Sequence, residues 1–151
     1  MNRSTAREIA VHFAFELAFS DERAQQLLER ELTAESFAQR AQEEPMYAEF
    51  PGERELDYIT RLVMGVGGHG AELDGYIAKY AKGWRFARID RVAAAIMRVT
   101  MYEILYMPDV PNKVAINEAV EIAKKYVDDD VVKFINGILG SFVRSELPEQ
   151  E

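Results

Sequence analysis

The chain has no cysteine and only two histidines among its 151 residues, and each shortage closes a class of function. Without cysteine there is no disulfide framework, no thiol nucleophile and no thiolate zinc site. With only His12 and His69 and no nucleophile elbow, no acid–base or nucleophilic constellation is recognisable, so neither enzyme activity nor a cofactor or metal is expected. No apolar run approaches the roughly 18 residues that a membrane-spanning helix needs. The N-terminus lacks the charged, apolar and small-residue layout of a secretory signal, which points to the cytoplasm. Strand-like alternation, internal repeats and low-complexity tracts are missing too, leaving an all-α class, expected as a compact helical bundle of about seven helices.

Positive charge is also scarce. The chain carries 18 Lys and Arg against 26 Asp and Glu, a net charge of −8, whereas phosphate binding draws on clustered cations and released counterions. The distribution changes the reading: residues 20–57 hold 11 acids and four bases, and the tail 146–151 adds three acids. The remainder is close to neutral, which leaves room for a local anion site. A hydrophobic content of 48% suits one domain able to bury a core without cross-links. That domain is expected over residues 1–145, with 146–151 as a disordered acidic tail.

What is present is helical periodicity with recognisable punctuation. Thr5 to Glu8 reads as a capping box, and Ile9, Phe13 and Leu17 with Ala10 and Ala14 give an apolar face, predicting a helix over 6–19. Ser20 or Asp21 can cap a second helix carrying Ala24, Leu27, Leu28 and Leu32, with a break near Thr33 before Phe37. Pro45, Pro51 and Gly52 mark a loop. Leu56, Ile59, Leu62, Val63 and Val66 form the next stripe, weakened by Gly65, Gly67, Gly68 and Gly70 at roughly 1 kcal/mol each relative to alanine. Leu73, Tyr76, Ile77 and Tyr80 restore the period up to Gly83. Asp90 caps a helix with Val92, Ile96, Val99, Tyr102 and Leu105 inward, expected to be the most buried of all.

Several side chains invite a chemical reading. Residues 65–70 match G-x-G-x-x-G, but a dinucleotide site needs a strand before the glycines, and an amphipathic helix precedes them here; glycines that permit close helix contact or a local bend explain the match better. His12 and Glu16, four apart, lack the second ligand pair that a metal site needs, and a solvated or capped pair is the simpler reading. Arg3 and Arg7 share one face at a helix N-terminus, where cations oppose the dipole. Either they extend into solvent or pair with Glu8 and the acidic segment, or they meet an anion together with the free N–H groups of the first turn. Phe15 and Phe19 share a face distinct from that of Phe13, as a second packing surface or an exposed partner site.

Residues 109–139 carry the densest signature. Pro111 suits a first-turn position, with Asp109 or Asn112 as cap, and Val114, Ala115, Ala119, Val120 and Ala123 follow at helical spacing. Asp128, Asp129 and Asp130 mark the next helix start, and Phe134, Ile135, Ile138, Leu139 and Phe142 its apolar stripe. The segments Asp109-Val110-Pro111, Lys113-Val114-Ala115-Ile116-Asn117-Glu118-Ala119 and Lys133-Phe134-Ile135-Asn136-Gly137 resemble the NusB family of bacterial transcription antitermination factors. Ala6-Arg7-Glu8 and Arg98 with Tyr102-Glu103 agree in order, so the resemblance spans nearly the whole chain apart from about 20–52.

The resemblance implies a partner-assisted RNA-binding protein that recognises boxA-like RNA with NusE, a small-subunit ribosomal protein, and acts on RNA polymerase during rRNA transcription. It implies RNA contacts at Arg3 and Arg7, and at Asp130, Lys133 and Phe134, where a carboxylate can accept from base amino groups, Lys can meet phosphate and an aromatic ring can stack. Phe134 as core remains the alternative. It further implies a NusE contact on the first helix, at Phe15 and Phe19, and a helix running straight through 65–70, where propensity alone predicts a bend or interruption; a helix with a weak middle is expected there. The chain departs from the family at the N-terminus, with Arg3 followed by Ser4 and Thr5 where two adjacent arginines are common, and at Val131 and Gly140, where Ser and Asp are frequent. Losing one phosphate contact weakens RNA binding, and a helical protein-binding adaptor with weak or lost RNA affinity is the alternative function. Arg7→Ala is expected to weaken RNA binding without unfolding, and Tyr102→Ala or Ile96→Ala to destabilise.

Overall fold

The computed structural model describes residues 1–85 and 88–148, and among these every regular element is helical, with eight α-helices and one 3-10 turn. The chain divides into two compact units, Met1–Gly68 and His69–Glu151.

The first unit holds α1 (Arg3–Ala18), α2 (Ala24–Glu31), α3 (Ala34–Arg40), the 3-10 turn Pro45–Tyr47 and α4 (Glu53–Gly68). α1 starts three residues before its expected beginning because Asn2 is the cap: its side chain accepts the N–H of Thr5 at 2.8 Å, which places Thr5 inside the helix. Asparagine caps at least as well as threonine, and the earlier cap gains most of a turn. α2 is entered through Arg23, whose N–H donates to the Gln26 side chain at 3.0 Å. Ser20, expected as its cap, instead accepts the N–H of Glu22 at 2.8 Å and tightens the preceding turn. The break at Thr33 is a helix start, the hydroxyl accepting the N–H of Ser36 at 3.1 Å.

α4 packs against both α1 and α2, and Ile9, Phe13, Leu27, Ile59, Leu62 and Val63 are buried in the core they share. The close approach of α2 needs Gly67, since a Cβ there would stand 2.8 Å from the Ala24 Cβ. Gly67 therefore serves helix contact, whereas a Cβ at Gly68 or Gly70 would meet nothing within 4 Å, and a helix rather than a strand precedes the glycines. α4 stops at Gly68, and His69 leaves helical geometry at φ −120° and ψ 21°. The uninterrupted helix implied by resemblance is thus absent; clustered glycines give too little backbone stability to carry a helix through.

The second unit holds α5 (Gly70–Tyr80), α6 (Arg91–Tyr106), α7 (Asn112–Tyr126) and α8 (Asp129–Glu146). α5 ends before Gly83, which adopts φ +83° in the turn beyond, a conformation that favours glycine. Asp90 caps α6 as expected, accepting the N–H of Ala93 at 2.9 Å. α6 has the largest buried complement, but its phase differs from the expected stripe: Val92, Tyr102 and Leu105 are half-buried, while Ala93, Ala95, Met97 and Met101 join Ile96 and Val99 inside. The reason is that α5, α7 and α8 all pack on α6, and small alanines let them approach from several directions.

In α7, Pro111 is the cap residue rather than the first helical position and no side chain caps the start. Val114, expected to face inward, is exposed, and Ala115, Ala119, Ile122 and Ala123 carry the buried face. Asp128 caps α8 by accepting the N–H of Val131 at 3.1 Å; Ile135, Ile138, Leu139 and Phe142 are buried. Of the acidic tail 146–151, Glu146 closes α8 and accepts hydrogen bonds from Lys79 at 2.6 Å and from Tyr80. Residues 149–151 lie outside the described residues.

Candidate nucleic-acid interface

In the first unit, Arg3 and Arg7 sit one turn apart on α1, and α4 supplies what they meet. The Arg3 guanidinium lies 3.9 Å from the Tyr58 ring centre, and its Nε is 2.8 Å from a Glu55 carboxylate oxygen. Arg7 lies over the same ring at 5.6 Å and is only 3% exposed. Of the two readings open from sequence, pairing with the acidic segment describes Arg3 in this structure, since Glu55 belongs to that segment. Tyr58 and Glu55 are functional neighbours that sequence reasoning missed, because α4 approaches α1 only through tertiary packing.

Phe15 and Phe19 form an edge-on pair with ring centres 4.8 Å apart. Phe15 is half-buried and Phe19 is 54% exposed, whereas Phe13 is fully inside. The two rings make an apolar ridge near the end of α1, geometrically open to a partner.

His12 and Glu16 each have a closer partner than the other. The His12 Nδ1 is 3.1 Å from the Tyr47 hydroxyl and 3.5 Å from a Glu44 oxygen, while Glu16 pairs with Arg40 at 2.7 Å. Arg40 also reaches Glu31 at 2.7 Å and lies over the Phe13 and Tyr47 rings, 5.2 Å from each. Burial lowers the Arg40 pKa, but hydrogen bonds to Glu31 and Glu16 outweigh it and hold the guanidinium above its ordinary value. Burial likewise pushes the Tyr47 phenol up and holds the His12 imidazole below its ordinary 6.5. These charges tie α1 to α3 and the 3-10 turn. Among the described residues no group of three His, Cys, Asp or Glu is placed to hold a metal ion.

In the second unit, the start of α8 presents Asp130 and Lys133 to solvent and leaves Phe134 half-buried. Asp130 and Phe134 are four residues apart and share a helix face. Phe134 is neither core nor free: its ring meets Trp84 at 5.5 Å, inclined by 65°. Trp84 is 59% exposed. Sequence reasoning missed it by assigning it to a connection; the available signal was a lone indole flanked by Lys82 and Arg85.

Among the described residues, eight α-helices in two units, with Asp130 and Lys133 exposed and Phe134 half-covered at the start of α8, define an all-α protein. The model of the NusB family matches residues 4–144, and the chain belongs to that family. It is 41% identical over 140 residues to the transcription antitermination protein NusB of Carboxydothermus hydrogenoformans, covering 93% of this chain and 91% of that one. With the Clostridium kluyveri protein of the same name it shares 34% identity over 152 residues, covering 97% of each. The solved structure of T. maritima NusB aligns with a TM-score of 0.80 at 27% identity, over 98% of this chain and 94% of that one.

Proposed function

We propose that the chain is a transcription antitermination factor that binds boxA-like RNA together with the ribosomal protein NusE and acts on RNA polymerase during rRNA transcription, in the cytoplasm. The observation that carries this reading is family membership combined with the open start of α8, where Asp130 and Lys133 are exposed beside the half-covered ring of Phe134. Its mechanism is recognition without bond-making: a carboxylate accepts from base amino groups, an ammonium meets phosphate and an aromatic ring stacks on a base. Arg3 contributes a partly exposed cation at the α1 start, and Phe15 and Phe19 offer the apolar ridge for NusE.

A second reading has one observation in its favour. Arg7 is almost fully buried and Arg3 is engaged by Glu55, so the N-terminal cations are less available to phosphate than their sequence positions suggest. A helical adaptor with weak RNA affinity fits that arrangement. Titration of boxA-like RNA with the chain, alone and with NusE, at two salt concentrations separates the two. Binding that is strengthened by NusE and weakened by salt is expected; no RNA binding even with NusE would sink the antitermination reading in favour of the adaptor.

A further inference from the structure

Lys82, Arg85 and Arg88 follow α5 in the second unit, and all three are exposed, as is Lys133 on α8. Among the described residues none of the four forms an ion pair with a carboxylate, as is also true of Arg54, Arg61 and Lys113; what sets them apart is their grouping, with Lys82, Arg85 and Arg88 close together in the chain and Lys133 next to Phe134, whose ring meets Trp84. In a chain with a net charge of −8, a local group of uncompensated cations is a departure that asks for an anion.

Trp84 stands within this group. Burying an indole is strongly favourable, yet 59% of the residue is left to solvent. Among the described residues its ring contact, with Phe134 at 5.5 Å and 65°, is edge-on rather than stacked. With 59% of the residue in solvent, part of the indole surface is accessible to a base. An exposed aromatic surface beside unpaired cations matches the two demands of a single-stranded nucleic acid, whose bases stack on side chains while the backbone follows positive charge. Duplex RNA keeps its bases stacked on each other and cannot use such a surface.

Resting on the RNA-binding reading above, we propose that Trp84 is the base-stacking platform of a single-stranded RNA site, braced by Phe134, with Lys82, Arg85, Arg88 and Lys133 taking the phosphates. Asp129 and Asp130, exposed in the first turn of α8, repel phosphate and accept from base edges. The backbone therefore runs past the 82–88 cations and the bases face α8.

Trp84 is the only tryptophan in the chain, so its emission reports on this site alone. The test titrates the full chain with unlabelled single-stranded boxA-like RNA while following tryptophan emission, with anisotropy of end-labelled RNA as an independent measure of binding, with and without NusE. Emission is expected to quench over the same concentration range as the anisotropy rise. Trp84→Ala is expected to lower affinity about tenfold, within the range measured for removal of one base-stacking ring, and Trp84→Phe to restore most of it; circular dichroism checks that both variants fold. RNA that binds by anisotropy while Trp84 emission stays unchanged and Trp84→Ala binds within twofold overturns the platform but leaves the antitermination reading intact. Equal binding and quenching by a duplex of the same sequence, or emission that responds to NusE and not to RNA, also overturns it. No RNA binding under any condition removes both readings.

Discussion

Arg3 and Arg7 stand one turn apart on α1, yet 38% of the Arg3 side chain reaches solvent whereas Arg7 is 3% exposed, so the same substitution should act differently at the two positions. Arg7→Ala removes a buried guanidinium from above Tyr58 and is expected to lower unfolding free energy by about 1–3 kcal/mol. This revises the expectation, drawn from sequence, that the substitution spares folding. Arg3→Ala breaks a half-exposed pair and is expected to cost about 0–1 kcal/mol. Urea denaturation of both variants checks the contrast, and equal midpoints would contradict it. His12 gives a pH signature with a defined sign. Because burial holds its folded pKa below the ordinary 6.5, the unfolded chain takes up this proton first as pH falls. Stability from the neutral ring is therefore complete above 6.5 and drains as pH drops toward the folded value. Glu44, Glu8 and Glu16 oppose this shift and Arg40 reinforces it. Wild type should lose stability from about pH 7 to pH 5.5 more steeply than His12→Gln; parallel profiles would refute the assignment. Glu31 adds a separate limb at lower pH. Burial pushes its carboxyl up, but hydrogen bonds from Arg40 and Ser36 outweigh burial and leave it below its ordinary 4.5. Its contribution is thus present above 4.5 and lost below.

At the scale of elements, two glycines in helices separate propensity from packing. Gly75 lies inside α5 with nothing within 4 Å of an added Cβ, so Gly75→Ala should gain about 0.5–1 kcal/mol. Gly67→Ala receives a similar gain but forces a Cβ to 2.8 Å from that of Ala24, and overpacking of about 1–3 kcal/mol should make the net effect a loss. Thermal melts of the two variants should therefore shift in opposite directions; a higher melting point for Gly67→Ala would show that α2 yields easily. The same distinction explains what could be read in advance. Asp90 and Asp128 were legible as helix starts because capping is decided within three or four residues, whereas Thr33 was read only as a break and is in fact the cap of α3. Helix identity along α5 to α8 followed from apolar periodicity for the same local reason. The phase of α6 was not legible, since packing by three neighbours and the tolerance of alanine set it. At the site, exposure of Asp130 and Lys133 follows from α8 periodicity alone. The Arg3 contact with Glu55, by contrast, depends on a helix some 50 residues later, and the Trp84 contact with Phe134 on a turn that only Gly83 hints at.

At the scale of the whole molecule, charge is divided unevenly, and that should be visible in how salt affects RNA binding. The acidic segment 20–57 lies wholly in the first unit, while Lys82, Arg85, Arg88 and Lys133, without an ion pair among the described residues, lie in the second. Each phosphate neutralised on a single strand contributes a slope of about −0.7 to log K against log salt, so four contacts set a limit near −2.8. The remaining net negative charge repels RNA over a range that salt screens, which flattens the observed slope further. We therefore expect a slope between about −2 and −2.8 from about 0.05 to 0.2 M salt, and a reduction of about 0.7 in Arg85→Ala. A slope of about −5 or steeper would mean that many more cations take phosphates, and would contradict a site confined to these four. An unchanged slope in Arg85→Ala with weakened binding would mean that Arg85 reads a base edge instead of a phosphate. A slope within the expected range that loses one increment with Arg85, and not with Arg7, would place the phosphate path on Lys82, Arg85 and Arg88 and leave Arg7 to fold stability.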